Sequence, residues 1–525
     1  MSGSATRSRW SLVATAIGTL VVWEVVGRAG WVAGGALPAP SAIVQQWWRD
    51  RADYPAHLRA SGRNAALGFA IGNAVAVVLA VLFALVPLAE RLLRGVLVAL
   101  FCMPLIVVAP IVGVAYDGET PKVVLASLAV FFPPMVATLV GLRSVDPAGV
   151  DVVRSVGGGP GAVLRRLRIR TALPAFVSGL RVAAPAALLG AVLGEFLGGR
   201  YGLGVYLLGS LGQANPARIW GIGLAATAVA GLGYAVFAVV GHRLVGATLG
   251  PTVSSRLSGE LAGGAGRSER RSLDVLLGLA SIAVAVGLWW LYVATSGLPR
   301  IIAKTPADLW TYLVSGPAAP GNREALLSAF GESLPIAAIG LACGLAAALG
   351  LALTATLAPA VARTLLPVAL VTQTMPLVAL TPVLVLLLGR GFGATVAVTV
   401  SVTFFPSYVT IAQGLALTPT GILDVVRSVH GSRFTELRKV SLPGALPYLF
   451  VAGRLATPRA LLGVVIAEYL ATGAGLGGLL AASRGKLAYG MLWSIAITVA
   501  IVSVALYLGL AAIERRVLRR FAAAG

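Results

Sequence analysis

The sequence predicts an all-α integral membrane protein of two tandem, parallel six-helix repeats, with about 12 transmembrane helices in all. Three observations predict it. Of 525 residues, 58% are hydrophobic and 11% charged, and the mean hydropathy is +0.90; soluble domains carry about 25% charged residues. Apolar runs of spanning length alternate with short arginine-bearing segments. The stretch Asp151 to Pro174, DVVRSVGGGPGAVLRRLRIRTALP, returns 273 residues later as Asp424 to Pro447, DVVRSVHGSRFTELRKVSLPGALP. The same offset pairs Arg181 with Arg454, Pro185 with Pro458, Glu195 with Glu468, Gly204 with Gly477 and Trp220 with Trp493. The chain is an internal duplication.

A helical span needs about 20 predominantly apolar residues. In the first copy such runs are Trp10 to Val26, Ala65 to Val86, Leu92 to Ala115, Val123 to Leu142, Phe176 to Leu197 and Trp220 to His242. The second copy repeats them as Val275 to Ala294, Leu334 to Thr356, Leu365 to Leu388, Ala394 to Leu417, Leu449 to Leu470 and Leu492 to Ile513. The first run has the shape of a signal peptide as well, but its mid-chain counterpart cannot be one, so it is read as a retained span. Trp23 and Trp290 are taken as the matching pair. After each first span an extended stretch ends in proline, at Leu37 to Pro40 and Lys304 to Pro306. An amphipathic segment with Trp47 and Trp48, or Trp310, follows and is read as lying along the outer surface. The paired prolines Pro104 with Pro376 and Pro110 with Pro382 are expected to kink the third spans.

Charge sets the orientation. With the amino terminus inside, the cytoplasmic segments hold Arg7 and Arg9, Arg91 and Arg94, Arg143 to Arg170, Arg243 to Arg271, Arg363, Arg427 to Lys439 and Arg515 to Arg520, and the outer loop around Asp117 and Glu119 is acidic. Both termini are then cytoplasmic. An even number of spans per copy makes the repeats parallel. Residues 1–242 form the first half, 243–272 a cytoplasmic linker rich in glycine, serine and arginine, and 273–525 the second half. The net charge of +22 is thus the positive-inside pattern and not a nucleic-acid-binding face. Cys102 and Cys343 lie in apolar runs and imply neither a disulfide framework nor a metal site.

The repeated segment is a polar island. In the second copy Asp424, Val425 and Val426 precede a turn at His430 and Gly431, then a basic helical segment from Arg433 to Lys439. Prolines are expected to end that segment and restart the chain as the next span. The pattern resembles the EAA loop of the permease subunits of ATP-binding-cassette importers, which reads E-A-A, three residues, G, nine residues, I, one residue, L-P. Asp424, Val425, Val426, His430, Val440, Leu442 and Pro443 occupy those places. In the first copy Asp151, Val152, Val153 and Gly157, followed by Gly158, fit; Ile169 falls at the leucine and Arg170 replaces the proline. R-S-V-G before the turn, A-L-P, G-L-R at Gly179 to Arg181, and the glutamate followed by G-L-G are similar to the sulfonate, taurine, nitrate and pyrimidine-precursor branch. His430 and Arg170 depart from the pattern.

The resemblance implies a type I importer-like fold, two permeases fused in one chain, and an inner-membrane location. It also implies two copies of a separate ATPase subunit docked on the two loops, and an extracytoplasmic solute-binding protein that meets loops near Gly202 to Gly204 and Gly475 to Gly477. The chain has no G-x-x-x-x-G-K-[ST] segment; Gly485 and Lys486 lack both flanking features, so no cofactor is expected and ATP belongs to the partner. No H-E-x-x-H or G-x-S-x-G marks an enzyme. A secondary transporter with parallel six-helix halves is the alternative.

Within the spans, Glu195 and Glu468 fit two roles. One is a path or gate carboxylate; the other is a structural group that reaches the interface or accepts hydrogen bonds from the glycine-rich outer loop. Arg181 and Arg454 are expected to contact lipid phosphate or the adjoining loop. Gln373, which aligns with Phe101 of the first copy, fits two roles as well, a solute-facing group or a partner in interhelical hydrogen bonding.

Overall fold

Hydrocarbon offers a backbone N–H or C=O no partner, so an apolar stretch that crosses it closes its hydrogen bonds within itself as helix. The computed structural model describes residues 17–213, 215–245, 271–358, 361, 375–418 and 420–522, and among these every regular element is helical. The first half runs through a helix over 17–29 (α1), α2 (Pro40–Arg49), α3 (Tyr54–Leu85), α4 (Pro87–Cys102), α5 (Leu105–Ala115), α6 (Thr120–Val130) and α7 (Phe132–Arg143). It continues with α8 (Pro147–Ser155), α9 (Pro160–Val163), α10 (Ile169–Phe196), α11 (Leu203–Gly212) and α12 (Pro216–Val245). The second half has α13 (Arg271–Thr295), α14 (Pro306–Trp310), α15 (Ala319–Leu357), α16 (Leu377–Leu388) and α17 (Phe392–Ala416). After these come α18 (Thr420–Ser428), α19 (Arg433–Glu436), α20 (Leu442–Ala467), α21 (Gly475–Gly485) and α22 (Tyr489–Ala522).

Among the described residues, 9 helical segments are long and apolar enough to cross a membrane, and α4 with α5 makes a tenth, bent by 96°. These fall on ten of the twelve expected spans. The remaining two, Trp10 to Val26 and Leu365 to Leu388, lie partly outside the described residues, as does most of the linker. The third span is broken rather than kinked. Met103 and Pro104 are both extended (ψ 120° and 125°), because a residue before proline is driven out of the helical region, and α5 starts afresh at Leu105. Pro376 stands in the same extended conformation before α16. The fourth span of the first half also divides at Phe131, ahead of Pro133 and Pro134, whereas its counterpart α17 runs on through Pro406.

Helices in lipid gain no hydrophobic drive to associate, so small residues that permit close packing decide where they touch. Gly68 and Gly72 of α3 rest on α6, and Gly340 and Gly344 of α15 rest on Thr399 and Thr403 of α17. The fifth spans, α10 and α20, lie at the centre of each half. The two halves interlock through their third spans: α5 packs against α20 and α22, α16 against α10 and α12, and α13 runs along α4. One buried apolar core joins both.

Two tryptophan clasps hold the extended stretches to the spans. Trp23 Nε1 donates to Pro38 O (3.1 Å) and Trp220 Nε1 to Ala36 O (3.1 Å). Trp289 Nε1 donates to Lys304 O (3.1 Å) and Trp493 Nε1 to Ile302 O (2.9 Å). The counterpart of Trp23 is therefore Trp289, not Trp290, which is exposed. On the same side of the first half, Arg218 grips Asp50, the residue that caps the end of α2, with two bonds of 2.7 Å. Burial alone would raise the Asp50 pKa, but Arg218, Gln46 and Tyr206 outweigh it and hold the carboxyl below its ordinary range.

Gly344→Leu is expected to lower the melting temperature in detergent by several degrees, since even a Cβ there overlaps Thr403. Gly350→Leu, on the same helix with nothing within 4 Å, is expected to leave it unchanged.

Candidate functional site

The repeated segment forms the same small structure in both halves. Asp146 caps α8 by accepting from Ala148 N (3.0 Å), and Pro147 supplies the first residue, where a missing N–H costs nothing. α8 and α18 are each 9 residues long and end in one turn type. Gly158 N donates to Val153 O (2.9 Å) and Gly157 N to Arg154 O (2.9 Å); Gly431 N donates to Val426 O (2.9 Å) and His430 N to Arg427 O (3.0 Å). This is a Schellman turn, whose penultimate residue must be left-handed. Gly157 (φ 79°) and His430 (φ 58°) fill that place. The next residue has no room for a side chain: a Cβ on Gly158 would lie 2.5 Å from Val153 O, and one on Gly431 2.7 Å from Val426 O. His430 thus keeps the turn that its departure from the glycine pattern put in question, at a backbone cost of about 1–2 kcal/mol.

The turn fixes what each helix shows to solvent. Asp151 and Asp424 are exposed, and Val153 and Val426 fold back onto the turn. Val152 with Val156, and Val425 with Val429, stand one helical turn apart and are 65% to 75% exposed. Each pair is an exposed apolar patch on an otherwise polar surface. The halves differ beneath it. Arg427 bridges Asp424 (3.3 Å) and Glu436 (2.9 Å), whereas buried Val163 takes the place of Glu436 in the first half.

Beyond the turn, the prolines do not end the helix. Leu442 and Pro443 open α20, and Pro174 and Pro447 lie inside α10 and α20. A single π-helical turn, Leu164–Arg168 or Leu437–Ser441, splices the short helix to the fifth span. The result is one helical rod per half, Pro160–Phe196 with 37 residues and Arg433–Thr472 with 40.

At the other end of the rods stand Glu195 and Glu468, only 0% and 1% exposed. Ser61 Oγ donates to Glu195 Oε2 (2.7 Å) and accepts from Leu203 N (2.8 Å), while Gly204 N donates to the same carboxylate oxygen (3.1 Å). In the second half Ser333 Oγ donates to Glu468 (2.8 Å) and accepts from Leu476 N (2.8 Å), and Gly477 N donates to Glu468 Oε2 (2.9 Å). Neither glutamate reaches the interface. Each ties the second span and the fifth span to the first turn of α11 or α21, so Gly202 to Gly204 and Gly475 to Gly477 belong to a buried clasp and not to a free outer loop. Ser61 and Ser333 were not singled out from sequence, although their near-equal spacing from the paired glutamates was the available signal. The surrounding charges differ: buried Lys122 pairs with Glu119 in the first half, and Glu332 accepts from Gly475 N in the second.

Arg181 and Arg454 also turn inward. Arg181 donates to Phe237 O (3.3 Å) and Ala238 O (3.2 Å) of α12, and Arg454 pairs with Glu514 (3.4 Å) against the Tyr507 ring. Gln373 lies outside the described residues. Among those described, no cluster of histidine, cysteine and carboxylates suits a metal.

A family model for the inner membrane component of binding-protein-dependent transport systems matches residues 72–248 and again 340–521. The chain belongs to this family. It is a fused permease of the ATP-binding-cassette type, one family domain in each half. A probable ABC transporter permease protein of Haemophilus influenzae is 30% identical over 190 residues, 36% of this chain and 78% of that one. The formylaminopyrimidine transport permease ThiX of Halalkalibacterium halodurans is 31% identical over 191 residues, 36% and 75% respectively. A putative aliphatic sulfonates transport permease SsuC of Bacillus subtilis is 27% identical over 226 residues, 42% and 78%. One half of the permease thus corresponds to most of each relative. No solved structure matches the chain.

Replacing Ser61 with Ala is expected to destabilise the permease by about 1–3 kcal/mol, because it strips a buried carboxylate and the Leu203 N–H of one partner. Thermal unfolding checks this, and Ser333→Ala should match it. His430→Gly is expected to slow hydrogen exchange in the α18 turn, whereas Gly431→Val should accelerate it.

Proposed function

We propose that α8 and α18 are the docking helices for two copies of a separate ATPase subunit, and that this one chain supplies both halves of an importer. The observation that carries the reading is mechanical. Each half presents an exposed valine pair on a short helix that one tight Schellman turn joins to the continuous rod ending in the buried glutamate clasp. Closure of two ATPase subunits would tilt both rods, and the clasps would hand that tilt to the second spans and to α11 and α21. The permease needs no nucleotide of its own; ATP is bound by the partner. The loops, the linker and both termini face the cytoplasm across the inner membrane, and a soluble binding protein delivers the solute from the other side. The relatives carry names that include formylaminopyrimidine, aliphatic sulfonates and riboflavin, which supports a small organic solute.

Purification in mild detergent, with partners identified by mass, is expected to return one permease chain with two ATPase subunits. Two permease chains per complex would refute the fused stoichiometry. Solute movement by the chain alone in vesicles without ATP would favour a secondary transporter. Val152→Asp with Val425→Asp is expected to abolish ATPase recovery while leaving the melting temperature unchanged, since both side chains are exposed. Recovery of a fully coupled complex from that variant would remove the helices from the docking role.

A further inference from the structure

Three arginines stand in the apolar stretches of the fifth spans, and two are accounted for. Arg181 binds carbonyls of α12 and Arg454 pairs with Glu514. The third, Arg459, lies midway along the apolar stretch 449–470, where a charge is expensive and calls for a reason. Among the described residues it has no hydrogen bond and no ion pair. The first half has Ala186 in its place, so the duplication itself does not require it.

The surroundings of Arg459 show where it points. From Val451 to Glu468 no residue of the second half's fifth span is exposed, so protein covers most of the helix surface. Only Leu455, Arg459 and Leu462 keep partial access. At spacings of four and three residues they share one face. Ile466, nearly in line with Arg459 two turns on, is buried in the core that joins the halves, and Leu462 packs against that core. Ala452, two turns the other way, is buried too. The face is open only at mid-membrane depth and closed above and below, on the side where the halves meet. Arg459 is the one polar group on that open strip, with a leucine one turn to either side. The leucines leave the guanidinium no neighbour on its own helix face to bond, and they offer an apolar wall to whatever comes to it.

We propose that Arg459, between Leu455 and Leu462, forms an anion-recognition point in the translocation path, taking one sulfonate, carboxylate or phosphate group of the solute. The proposal rests on the permease reading and narrows its solute to one that carries an oxyanion. A guanidinium presents a fork of donors that matches such a group, and enclosure by protein strengthens the attraction. The flanking leucines would receive the carbon skeleton attached to it. One cation per fused chain serves one anionic group per passage, without a second charge from the other half to trap it.

The test uses the full permease in nanodiscs, without ATPase, at constant ionic strength. Ethanesulfonate, acetate and phosphate are the probes, and ethyl methyl sulfone is the uncharged control. At least one anion is expected to raise the melting temperature of the native chain, and the sulfone to leave it unchanged. Arg459→Gln is expected to weaken that response about ten-fold or more, and Arg459→Lys to retain part of it. Without anion, Arg459→Gln should melt at the same temperature or higher, because a desolvated charge has been removed; a fall would mark the arginine as structural. Arg459→Cys, in a chain with Cys102 and Cys343 replaced by serine, should react with a water-soluble methanethiosulfonate. No response to any of the three anions, an unaltered response in Arg459→Gln, or an unreactive Cys would overturn the site. Because no ATPase is present, failure here leaves the docking reading intact. Loss of ATPase co-purification would sink that reading and not this one.

Discussion

A carboxylate sealed in protein at the end of a membrane helix must be given donors, and Glu195 and Glu468 take theirs from two other elements at once. A serine on the second span and an amide in the first turn of a short helix converge on each. Buried and hydrogen-bonded, these groups cannot exchange their partners for water without loss. They therefore fix the far end of each fifth span to the second span and to the short helix that follows. The small residues of α3 and α15 then let the neighbouring helices close around the rods.

The interlocking third spans make the two halves one machine. In the first half the third span is broken at Met103 and Pro104, and in both halves the helix that follows the proline, α5 or α16, packs on the fifth and sixth spans of the opposite half. The core between the halves is consequently built from both, while the charges of the two halves are not symmetric. Arg459 has only Ala186 as its counterpart, Thr395 stands where the first half has Lys122, and Glu436 braces α18 while Val163 leaves α8 without such a partner. Duplication supplied the frame, and later divergence placed single charges where one copy suffices.

Much of the site was legible in the sequence because a turn and a repeat are local. Asp151 to Gly158 and Asp424 to Gly431 could be aligned by eye, and the Schellman turn explains why both keep a glycine at the second place while the first admits His430. The glutamates were visible as charges inside apolar runs. Ser61 and Ser333 were not, since a serine near a span end carries no mark until the residue it touches, more than 130 positions away, is known. The prolines misled in opposite directions: Pro174, Pro443 and Pro447 sit within a continuous helix spliced by a π turn, whereas Pro104 breaks a span that was expected only to bend.

By itself the sequence determined the class of the molecule, its duplication, the order of its spans and the position of the loops. These follow from apolar length, from backbone hydrogen bonding in hydrocarbon and from the recurrence of one polar segment, all of which are legible along the chain. Only the tertiary structure decided which half α5 and α16 cover, whether a membrane glutamate faces lipid or a clasp, and which of three similar arginines is left without a partner among the described residues. Those outcomes depend on contacts between residues far apart in the chain, whose free energies no local pattern of hydrophobicity or charge contains.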